Sequence, residues 1–514
     1  MTAVPRVDLE QFRLRRFVDH LQELGEVETH AEPVDLADIS RIIEASPKAT
    51  LFKNAGPERF EVVGSVGGSR RRLAAAFGLS DVRALAAEYA RRMQNPQKAF
   101  EIARGEAPAQ QLVITGDAID LTRLPFHVQH QYDGAPYISS AIDYSVDPLN
   151  GRGNVGCRRL MLRSRTTMRS NLTQVSDLRR IFMESVARGE HLTVNFAIGS
   201  HPLDFVTASV RASEFDEFDL VGTIRGAPLP MVRAVSNSLL VPADAEVIVE
   251  GYFDKAGYSE QEGPYGEFLG YYGPVHIDPV YHVTAITMRK DALHQTVLHG
   301  TRRLAQSEHS HQSGVIIEAR IMQLLKEAGI AAAAVYAVAS AGGLMHARVA
   351  LARQSKDRAR DAIRTLLTIP FLRHVYIVDE DIDVFSDDDI EWAMANRFRA
   401  DQDLVLVPGQ MAFIMDVMAG GDRLTTKAGF DLTAPLAKDG IEARVVSPTR
   451  IEPAARYQTV EQALAARPMY FAELMTSLGS KDGREIILAL DVLREKGQVT
   501  RGENGEWALT KEQA

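Results

Sequence analysis

The sequence predicts a mixed α/β protein of several domains that ends in a small, separate tail. Three observations support this prediction: strand-like runs dominate the middle of the chain, helices alternate with strands over residues 315–397, and amphipathic helices precede a hairpin in residues 459–514. The chain of 514 residues accommodates two to four domains, because a domain usually contains about 100–200 residues.

The first region, residues 1–125, is predicted to be an N-terminal α/β region that is rich in helix. A helix is expected over 8–28 from apolar residues near helical spacing, Phe12, Phe17, Leu21 and Leu24. The basic run 70–72 opens a second helical stretch that continues to Tyr89. Residues 121–136, which proline and glycine punctuate, are interpreted as a linker into the next domain.

The second region, residues 126–305, has the strand-rich character of a barrel or a sandwich with a helix laid on it. The helix is expected over 178–187. Asp-Pro-Leu-Asn-Gly at 147–151 is turn chemistry between the first two strands. Strands are predicted over 137–146, 159–162, 192–197, 245–252, 282–288 and 295–299.

The third region, residues 315–453, returns to alternating helices and strands. Short strands are expected on both sides of Gly342-Gly343 and over 374–378. Ser386 and Asp389 have the spacing of a capping box for the helix that follows. Two amphipathic helices are predicted from Ile317, Ile321, Leu324, Leu325 and Ala328, and from Ala359, Ala362, Ile363, Leu366 and Leu367.

The tail, residues 459–514, resembles a winged helix. Leu474 and Leu478 lie on one predicted helix, and Ile487, Leu490 and Leu493 on a second. Two short strands then surround a turn that contains Asn504. In a DNA-binding winged helix the second helix would be basic. Residues 483–496 instead carry equal numbers of basic and acidic side chains: Arg484, Arg494 and Lys496, and Glu485, Asp491 and Glu495. The tail is therefore interpreted as a packing or subunit-contact element.

Composition narrows the class of protein. The 58 Lys and Arg against 68 Asp and Glu give a net charge of −10, which argues against nucleic-acid or anionic-membrane partners. The single cysteine, Cys157, excludes an internal disulfide framework and a cysteine-rich metal site. The longest uncharged stretch, 330–345, is shorter than the ~20 residues that span a bilayer, and the N-terminus has no secretory pattern. We expect a soluble, cytoplasmic protein.

Two polar segments give only weak indications of a metal site. The acidic run 379–389 has Val384 where a calcium loop requires glycine, so a turn and helix cap is favoured. His309 and His311 are of metal-ligating type, but without a third placed ligand they are interpreted as surface or substrate-pocket residues.

The segment 262–273 is more informative. It contains Glu262, Glu267, four glycines and a proline, a composition that excludes a stable helix and lets the backbone bend until both carboxylates face one cavity. Paired carboxylates in unlike environments are a general acid–base arrangement. A tight surface loop with two solvated acids explains the same residues, and the segment alone leaves both interpretations open.

The segment 154–161 is the second candidate. Asn154 offers an amide oxygen to a hard cation, and Arg159 offers a planar donor group to a carboxylate. Taken alone, this segment fits a strand edge with ordinary charges better.

Together the two segments carry a resemblance to the UbiD-type decarboxylases, which use prenylated FMN. Matching motifs occur in the family's order over roughly residues 8–435, and the tail lies outside them. The most specific are N-x-G-x-x-R at 154–159 and E-G-P-Y-G-E at 262–267; others are D-G-A-P-Y at 133–137 and E-F-D-L-V-G at 217–222.

The resemblance implies a split β-barrel cofactor domain at 126–305, an α/β oligomerisation domain at 315–453, and a homodimer or a trimer of dimers. It also implies a reversible decarboxylase of an aromatic or heteroaromatic acid, polycyclic acids included. Arg159 would hold the substrate carboxylate and pair with Glu262, and Glu267 would protonate the carbon after CO2 leaves. The alternative substrate is an α,β-unsaturated, acrylic-type acid.

The resemblance further implies prenylated FMN, made by a partner prenyltransferase, with its phosphate bridged to Mn2+ or another divalent cation. The divalent ligands would be Asn154, Asp177 and Glu217, where Asp177 replaces a histidine of the family pattern. A monovalent ion, K+ or Na+, would lie near Ala208 and Ser209. The residues expected to bind the cofactor are Asn154, Val155, Gly156, Cys157, Arg158, Arg159, Ser176, Asp177 and Glu217.

Two other functions are compatible with parts of the sequence. One is a DNA-binding regulator acting through the tail, which the balanced charge of residues 483–496 disfavours. The other is a flavin-binding subunit of a larger complex, and the complete set of Arg159, Glu262 and Glu267 speaks against an inactive subunit.

Overall fold

A computed structural model describes residues 8–210, 215–352, 356–434, 448–452, 454–503 and 505–510. Pro453, the predicted end of the third region, lies outside these residues. Asn504, which is predicted to lie in the turn of the C-terminal hairpin, also lies outside them. Within them, no helix combines the length and hydrophobicity that crossing a bilayer needs.

The N-terminal region combines helices with a small sheet, as expected of an α/β region, although the sequence did not locate its strands. Strands β1 and β2 run parallel, and β3 pairs antiparallel with β2. The elements are α1 Leu14–Glu23, β1 Val27–Val34, α2 Ile39–Ala45, β2 Ala49–Ala55, β3 Phe60–Gly64, α3 Arg70–Ala76, α4 Leu85–Met93, β4 Phe100–Glu101 and β5 Leu112–Thr115.

Glycines in left-handed conformation explain why two predicted helices are too long. Gly25 has φ +71° and separates α1 from β1, so the helix expected over 8–28 is shorter. Gly78, with φ +74°, follows α3, and the helix expected from residue 70 to Tyr89 is two helices.

The middle of the chain forms a closed barrel. Six strands follow the order β12-β9-β6-β7-β8-β17, and β17 pairs with β12 to close the ring. The elements are β6 Tyr137–Val146, β7 Gly153–Leu162, β8 Thr167–Ser170, α5 Asp177–Ala187, β9 Leu192–Ile198, α6 Pro202–Ala208, α7 Glu217–Arg225, β10 Pro230–Arg233, β11 Leu240–Pro242, β12 Val247–Phe253, β13 Glu260–Glu262, β14 Tyr265–Gly266, β15 Tyr272–Gly273, β16 His276–Asp278, β17 Val280–Met288 and β18 His294–Thr296.

The barrel confirms the predicted strand-rich fold and corrects two details. The strand expected over 295–299 is β18, which leaves the barrel and pairs in parallel with β3. The supposed linker 121–136 is packed, because its apolar side chains Leu121, Leu124 and Phe126 join the barrel core.

The third region is a five-stranded sheet with order β19-β20-β21-β23-β22. Ser386 caps α10 as predicted: its Oγ accepts the N–H of Asp389 at 3.1 Å. The elements are α8 Glu308–Glu327, β19 Ala332–Ala337, β20 His346–Leu351, α9 Lys356–Leu366, β21 His374–Asp379, α10 Asp387–Arg397, β22 Leu404–Met411 and β23 Leu424–Asp431.

The tail folds around its own small core. Three helices, α11 Val460–Ala466, α12 Phe471–Leu478 and α13 Arg484–Glu495, precede the hairpin β24 Val499–Arg501 and β25 Trp507–Leu509. Apolar side chains from all three helices and the hairpin pack together, among them Leu464, Leu474, Leu490 and Val499. The likeness of this tail to a winged helix stays a prediction.

Candidate active site

Arg159 forms the centre of a buried charge cluster. It lies on β7, and its Nε and Nη2 donate to the two carboxylate oxygens of Glu262, each at 2.9 Å. Its Nη1 donates to Glu267. The side chain of Glu262 is fully buried, whereas that of Glu267 keeps 14% of its surface exposed. The structure therefore brings together the three predicted catalytic residues and buries Glu262 more deeply than Glu267.

The loop 262–273 makes this arrangement possible. Gly263 has φ +89°, a conformation that favours glycine. At Gly134 a β-carbon would lie 2.1 Å from the carbonyl oxygen of Gly263, so a glycine there lets the two segments touch. The short pairing of β14 with β15 then holds Glu267 beside Arg159. The loop bends as the glycine content predicts, and both acids face one guanidinium.

Two tyrosines complete the cluster. The hydroxyl of Tyr137 donates to Glu262 at 3.0 Å, so this carboxylate is held by three side-chain hydrogen bonds. The Arg159 guanidinium lies 4.5 Å from the ring centroid of Tyr265, a cation–π contact. The Tyr265 hydroxyl in turn contacts Gln129 at 2.7 Å and His299 at 3.0 Å. These contacts preorganise the arginine.

The cluster opens onto a cavity of about 500 Å³ between the barrel and the third region. Arg159 and Glu267 lie on its barrel side, and Phe371 and Phe413 on the opposite side. The other lining residues are Cys157, Arg158, Asn171, Gln174, Val175, Tyr265, Phe268, His299, His309, Pro370, Ala412, Ile414 and Met415. One side of the cavity thus carries charge, and the other is apolar and aromatic.

Burial sets the protonation of the cavity residues. For Arg159, desolvation opposes the charge, but attraction from Glu262 and Glu267 outweighs it and raises the pKa. Burial lowers the pKa of His299 to about 3 and that of His309 to about 4, so both rings are neutral at pH 7. Arg159 therefore supplies a permanent positive charge beside neutral imidazoles.

A second polar cluster lies at the start of the same strand. Asn154 on β7, Asp177 at the first turn of α5 and Glu217 at the first turn of α7 line a small cavity of about 50 Å³. The Asn154 amide donates to Asp143 at 2.9 Å, which directs its carbonyl oxygen away from that carboxylate. Glu217 accepts the backbone N–H of Val155 at 2.6 Å.

Carboxylates oppose one another in this second cluster. Burial raises the pKa of Glu217 to about 7, and repulsion from Asp143 and Asp177 adds to the shift. Within the described residues, no three His, Cys, Asp or Glu side chains form a metal-binding group, so a cation here would require the Asn154 oxygen as a ligand. Two carboxylates and an amide oxygen are hard donors of the kind that Mn2+ and Mg2+ accept, and they fit such an ion.

The other predicted cofactor residues lie between the two clusters. Gly156 leaves room for Asp143, whose Oδ1 would lie 2.9 Å from a β-carbon there. Arg158 pairs with Asp143 at 2.9 Å, and burial raises the pKa of the Cys157 thiol to about 12. Ser176 caps α5 by accepting the N–H of Arg179 at 3.2 Å.

Of the remaining predicted residues, some line the cavity and others lie outside it. The Ser209 hydroxyl lies 3.9 Å from the Cys157 sulfur, next to Ala208 at the end of α6. His309 lines the cavity and packs on Phe268, with ring centroids 4.1 Å apart. His311 instead contacts the carbonyl of Ala305 at 2.8 Å. His309 thus lies at a cavity, in line with the pocket interpretation, and the prediction that this cavity binds substrate stays a prediction.

Four residues of the site were missed from the sequence: Gln129, Tyr137, Tyr265 and His299. Tyr137 and Tyr265 belong to motifs already noted, but nothing in the spacing marks them as partners of Glu262 and Arg159. Gln129 lies in the stretch interpreted as a linker, and His299 follows a short strand.

Comparison with known proteins identifies the family. Residues 101–302 match the model of the 3-octaprenyl-4-hydroxybenzoate carboxy-lyase Rift-related domain, and residues 18–92 and 311–432 match the N-terminal and C-terminal domains of the same enzyme. An anhydromevalonate phosphate decarboxylase of Methanosarcina mazei is 29% identical over 437 residues, 84% of this chain and 99% of that protein.

Solved structures agree. The UbiD-class enzyme HmfF from Pelotomaculum thermopropionicum in complex with FMN superposes with a TM-score of 0.79 at 28% identity, over 85% of this chain and 97% of that one. An evolved dimeric form of the same enzyme in complex with prFMN gives 0.76 at 27%, with the same coverage. The chain therefore belongs to the UbiD family and is a decarboxylase, a carboxy-lyase.

Proposed function

We propose that this protein uses prenylated FMN to decarboxylate an aromatic or heteroaromatic acid reversibly and without oxidation. The observation that carries the proposal is Arg159, which Glu262 holds on one side while its other edge meets Glu267 at a cavity lined by aromatic rings.

The cavity residues fit a flavin nucleotide. Gln174 lines the cavity, and its side-chain oxygen is buried without a hydrogen-bond partner in the described part of the chain, so a ligand hydroxyl can donate to it. Ser176 and Asp177 begin α5, whose N-terminal N–H groups favour a phosphate. We assign Asn154, Asp177 and Glu217 to a divalent cation at that phosphate, and the Ala208–Ser209 corner to a monovalent one. When bound, prenylated FMN supplies an electron sink for the carbanion that CO2 loss creates.

The protein's own side chains bind the substrate, hold Arg159 in place and deliver the proton. The guanidinium of Arg159 binds the substrate carboxylate, and the substrate competes with Glu267 for Nη1. Glu262 keeps Arg159 in place throughout, because its own oxygens are bound by Arg159 and Tyr137. Once the substrate displaces it from Arg159, Glu267 takes up a proton from water, and after CO2 leaves it donates this proton to the carbon. The apolar side of the cavity excludes water from these steps.

The aromatic lining supports the substrate class. Phe268, Phe371 and Phe413 offer faces and edges against which a planar ring packs favourably. Ile414, Met415 and Pro370 extend this apolar surface and leave room for polycyclic acids.

A phosphorylated acid is the second candidate, since the relative in Methanosarcina mazei is named for a phosphate substrate. Among the described residues that line the cavity, the only permanent cations are Arg158 and Arg159, and both pair with carboxylates. This favours an uncharged ring. The alternative to an aromatic acid is an α,β-unsaturated, acrylic-type acid, in which the carboxylate is attached to an alkene carbon.

Co-expression with a prenyltransferase that builds the cofactor tests the proposal. The purified protein should carry a flavin whose absorbance differs from that of FMN, and it should release CO2 from at least one acid in an aromatic panel. If no flavin copurifies or can be reconstituted, the proposal is wrong. If only phosphorylated or acrylic acids react, the substrate class is wrong.

A further inference from the structure

Three consecutive residues of the loop that carries Glu267 are tied to the segment 129–134. They are the residues directly before Glu267, and each tie is a hydrogen bond between the two segments. The bonds run from the N–H of Gly134 to the carbonyl of Pro264 at 2.9 Å, from the hydroxyl of Tyr265 to Gln129 at 2.7 Å, and from the N–H of Gly266 to Asp133 at 3.1 Å. The position of Glu267 therefore depends on a segment that is distant in the chain.

Asp133 is the centre of this contact, and its side chain is fully buried. Oδ2 accepts the backbone N–H groups of Gln129 at 3.1 Å and His130 at 2.9 Å, and Oδ1 accepts that of Gly266. Nδ1 of His130 lies 3.2 Å from both oxygens, and it is the donor because a carboxylate only accepts. One carboxylate thus collects four N–H donors, three from its own turn and one from the loop 262–273.

The ring of His130 packs against Gly266. A β-carbon at Gly266 would overlap this ring, since Nδ1, Cγ and Cε1 of His130 are the nearest atoms that it would meet. Nε2 of the ring is buried and has no hydrogen-bond partner among the described residues. Leaving a buried ring nitrogen unpaired costs free energy. The contacts of the ring with Asp133 and Gly266 must offset this cost.

We propose that Asp133 is a positioning residue for Glu267 and that His130 orients the Asp133 carboxylate. The inference rests on the proposed function, in which Glu267 donates a proton to the substrate carbon. Asp133 is not among the described residues that line the cavity, so it acts through the loop. Its bond to the N–H of Gly266 fixes the backbone from which the Glu267 side chain extends. Positioning of this kind matters because a displacement of about 1 Å can cost roughly 100-fold in rate.

Asp133→Asn tests the positioning role. The substitution replaces one acceptor oxygen by an NH2 group, which cannot accept from the N–H groups that it faces. In the flavin-loaded protein, kcat per bound flavin should fall by about 10–100-fold, and KM should change little. The solvent deuterium isotope effect on kcat should increase, because proton donation becomes the slow step. A mere loss of folded protein would lower the flavin content and leave the isotope effect unchanged.

Asp254→Asn is the matched control. Asp254 also accepts a backbone N–H, that of Ala256 at 2.9 Å, and also contacts a histidine, His282 at 3.0 Å, but these partners lie outside the loop 262–273. Its turnover and isotope effect should equal those of the wild-type protein. A second readout needs no turnover: amide hydrogen exchange in peptides from 262–273 should be faster in Asp133→Asn and unchanged in Asp254→Asn.

A pair of substitutions tests the contact between His130 and Gly266. Gly266→Ala places a methyl group in the space of the ring and should lower kcat per flavin as Asp133→Asn does. His130→Ala removes the ring but keeps the three backbone N–H bonds of Asp133, so its own effect should be smaller. The double variant has room for the methyl group and should be more active than Gly266→Ala alone. This comparison decides the question if Asp133→Asn does not fold.

The results separate this inference from the function on which it rests. Wild-type kcat and isotope effect in Asp133→Asn, or a double variant no more active than Gly266→Ala, would overturn the inference and leave the decarboxylase function intact. Parallel losses of flavin and turnover at an unchanged isotope effect would show a purely structural role and also overturn it. If the wild-type holoenzyme releases CO2 from no acid, the proposed function fails, and the hydrogen exchange of 262–273 still shows whether Asp133 holds the loop.

Discussion

Two polar clusters lie on the same strand, β7, five residues apart, and they balance charge in different ways. Around Arg159, the carboxylates of Glu262 and Glu267 both accept N–H groups of one guanidinium. Around Asn154, Glu217 accepts a backbone N–H and faces the carboxylates of Asp143 and Asp177. The first cluster carries its own cation, whereas in the second the acidic side chains face one another, and the proposed function places a cation between them.

This difference explains how one strand can serve two kinds of chemistry. An arginine paired with carboxylates is held in place, and under the proposed function a substrate carboxylate enters by competing with the more exposed acid, Glu267. Burial and then repulsion from Asp143 and Asp177 raise the pKa of Glu217, and the proposed divalent ion would offset that repulsion. The expected effects of substitution therefore differ in kind between the clusters.

The largest effect is expected from Glu267→Gln. The amide keeps the shape and a hydrogen bond to Arg159 but has no acidic proton, so CO2 release should fall by about 10²–10⁴-fold. Flavin content should stay at the wild-type level. Glu260→Gln is the control, since Glu260 lies just before the same loop and pairs with Arg163 away from the cluster. Turnover near the wild-type rate in Glu267→Gln would remove this residue from the mechanism.

Glu217→Gln should weaken the binding of metal and flavin and should leave proton donation by Glu267 unaffected. Replacing one of two carboxylates removes a charged ligand from the proposed cation site, which should cost at least the roughly 10–100-fold in metal affinity that loss of an outer-shell partner costs. Flavin and metal per protein, measured by absorbance and elemental analysis, should both decrease. Glu267→Gln should keep both. Full metal and flavin content in Glu217→Gln would mean that the second cluster does not hold the cation.

A third carboxylate, Glu308, tests whether burial alone produces the pKa shift. It accepts the N–H of Gly67 at 2.9 Å, and burial raises its pKa from 4.5 to about 7. A raised pKa stabilises the fold below pH 4.5, and this stabilisation is lost as the pH rises through about 7. The loss amounts to at most about 3 kcal/mol.

Glu308→Gln should remove this pH dependence. Between pH 5 and pH 8 the Tm of the wild-type protein should fall by several degrees more than that of the variant. The measurement is thermal unfolding of both proteins across that range in matched ionic strength. An identical pH profile for the two proteins would show that Glu308 is ionised in the fold.

The smallest effect is expected from deletion of residues 454–514. The tail has its own apolar core, and the residues of both clusters lie between 137 and 267. Flavin content, turnover and, apart from the lost mass, elution volume should be unchanged. A change in oligomer size would show instead that the tail docks on a neighbouring subunit.

The same deletion tests the regulator hypothesis. The outer face of α13 exposes the apolar residues Ile487, Leu488 and Val492 where a DNA-binding helix would be basic. The full-length protein should have no measurable affinity for duplex DNA at physiological salt. Salt-sensitive binding that disappears on deletion would favour a regulator.

Local patterns in the sequence predicted the barrel strands and a bent loop that carries Glu262 and Glu267, whereas the two clusters followed only from the resemblance to a family. Strands β6 and β7 follow from β-branched runs and a turn between them, and the glycines around Glu262 and Glu267 predict a bent loop. The resemblance to a family then gave these residues their roles. What could be predicted depended on residues close together in the chain.

Long-range pairing explains what was missed. The N-terminal sheet includes β18, more than two hundred residues after β3, and no periodicity indicates that partnership. Gln129 joins Tyr265 and His299 only because the chain between 121 and 136 packs on the barrel core. Contacts between distant segments place His299 and Gln129 on either side of the Tyr265 hydroxyl, and a linear pattern does not contain that information.

Hydrogen–deuterium exchange tests the central claim, that Glu267 delivers a proton to the substrate carbon beside Arg159. The decarboxylated product is incubated in D2O with the flavin-loaded protein, and deuterium at the carbon that had carried the carboxylate is measured by NMR. The account predicts exchange with the wild-type protein and its loss in Glu267→Gln at equal flavin content. Exchange at the same rate in both proteins would contradict it.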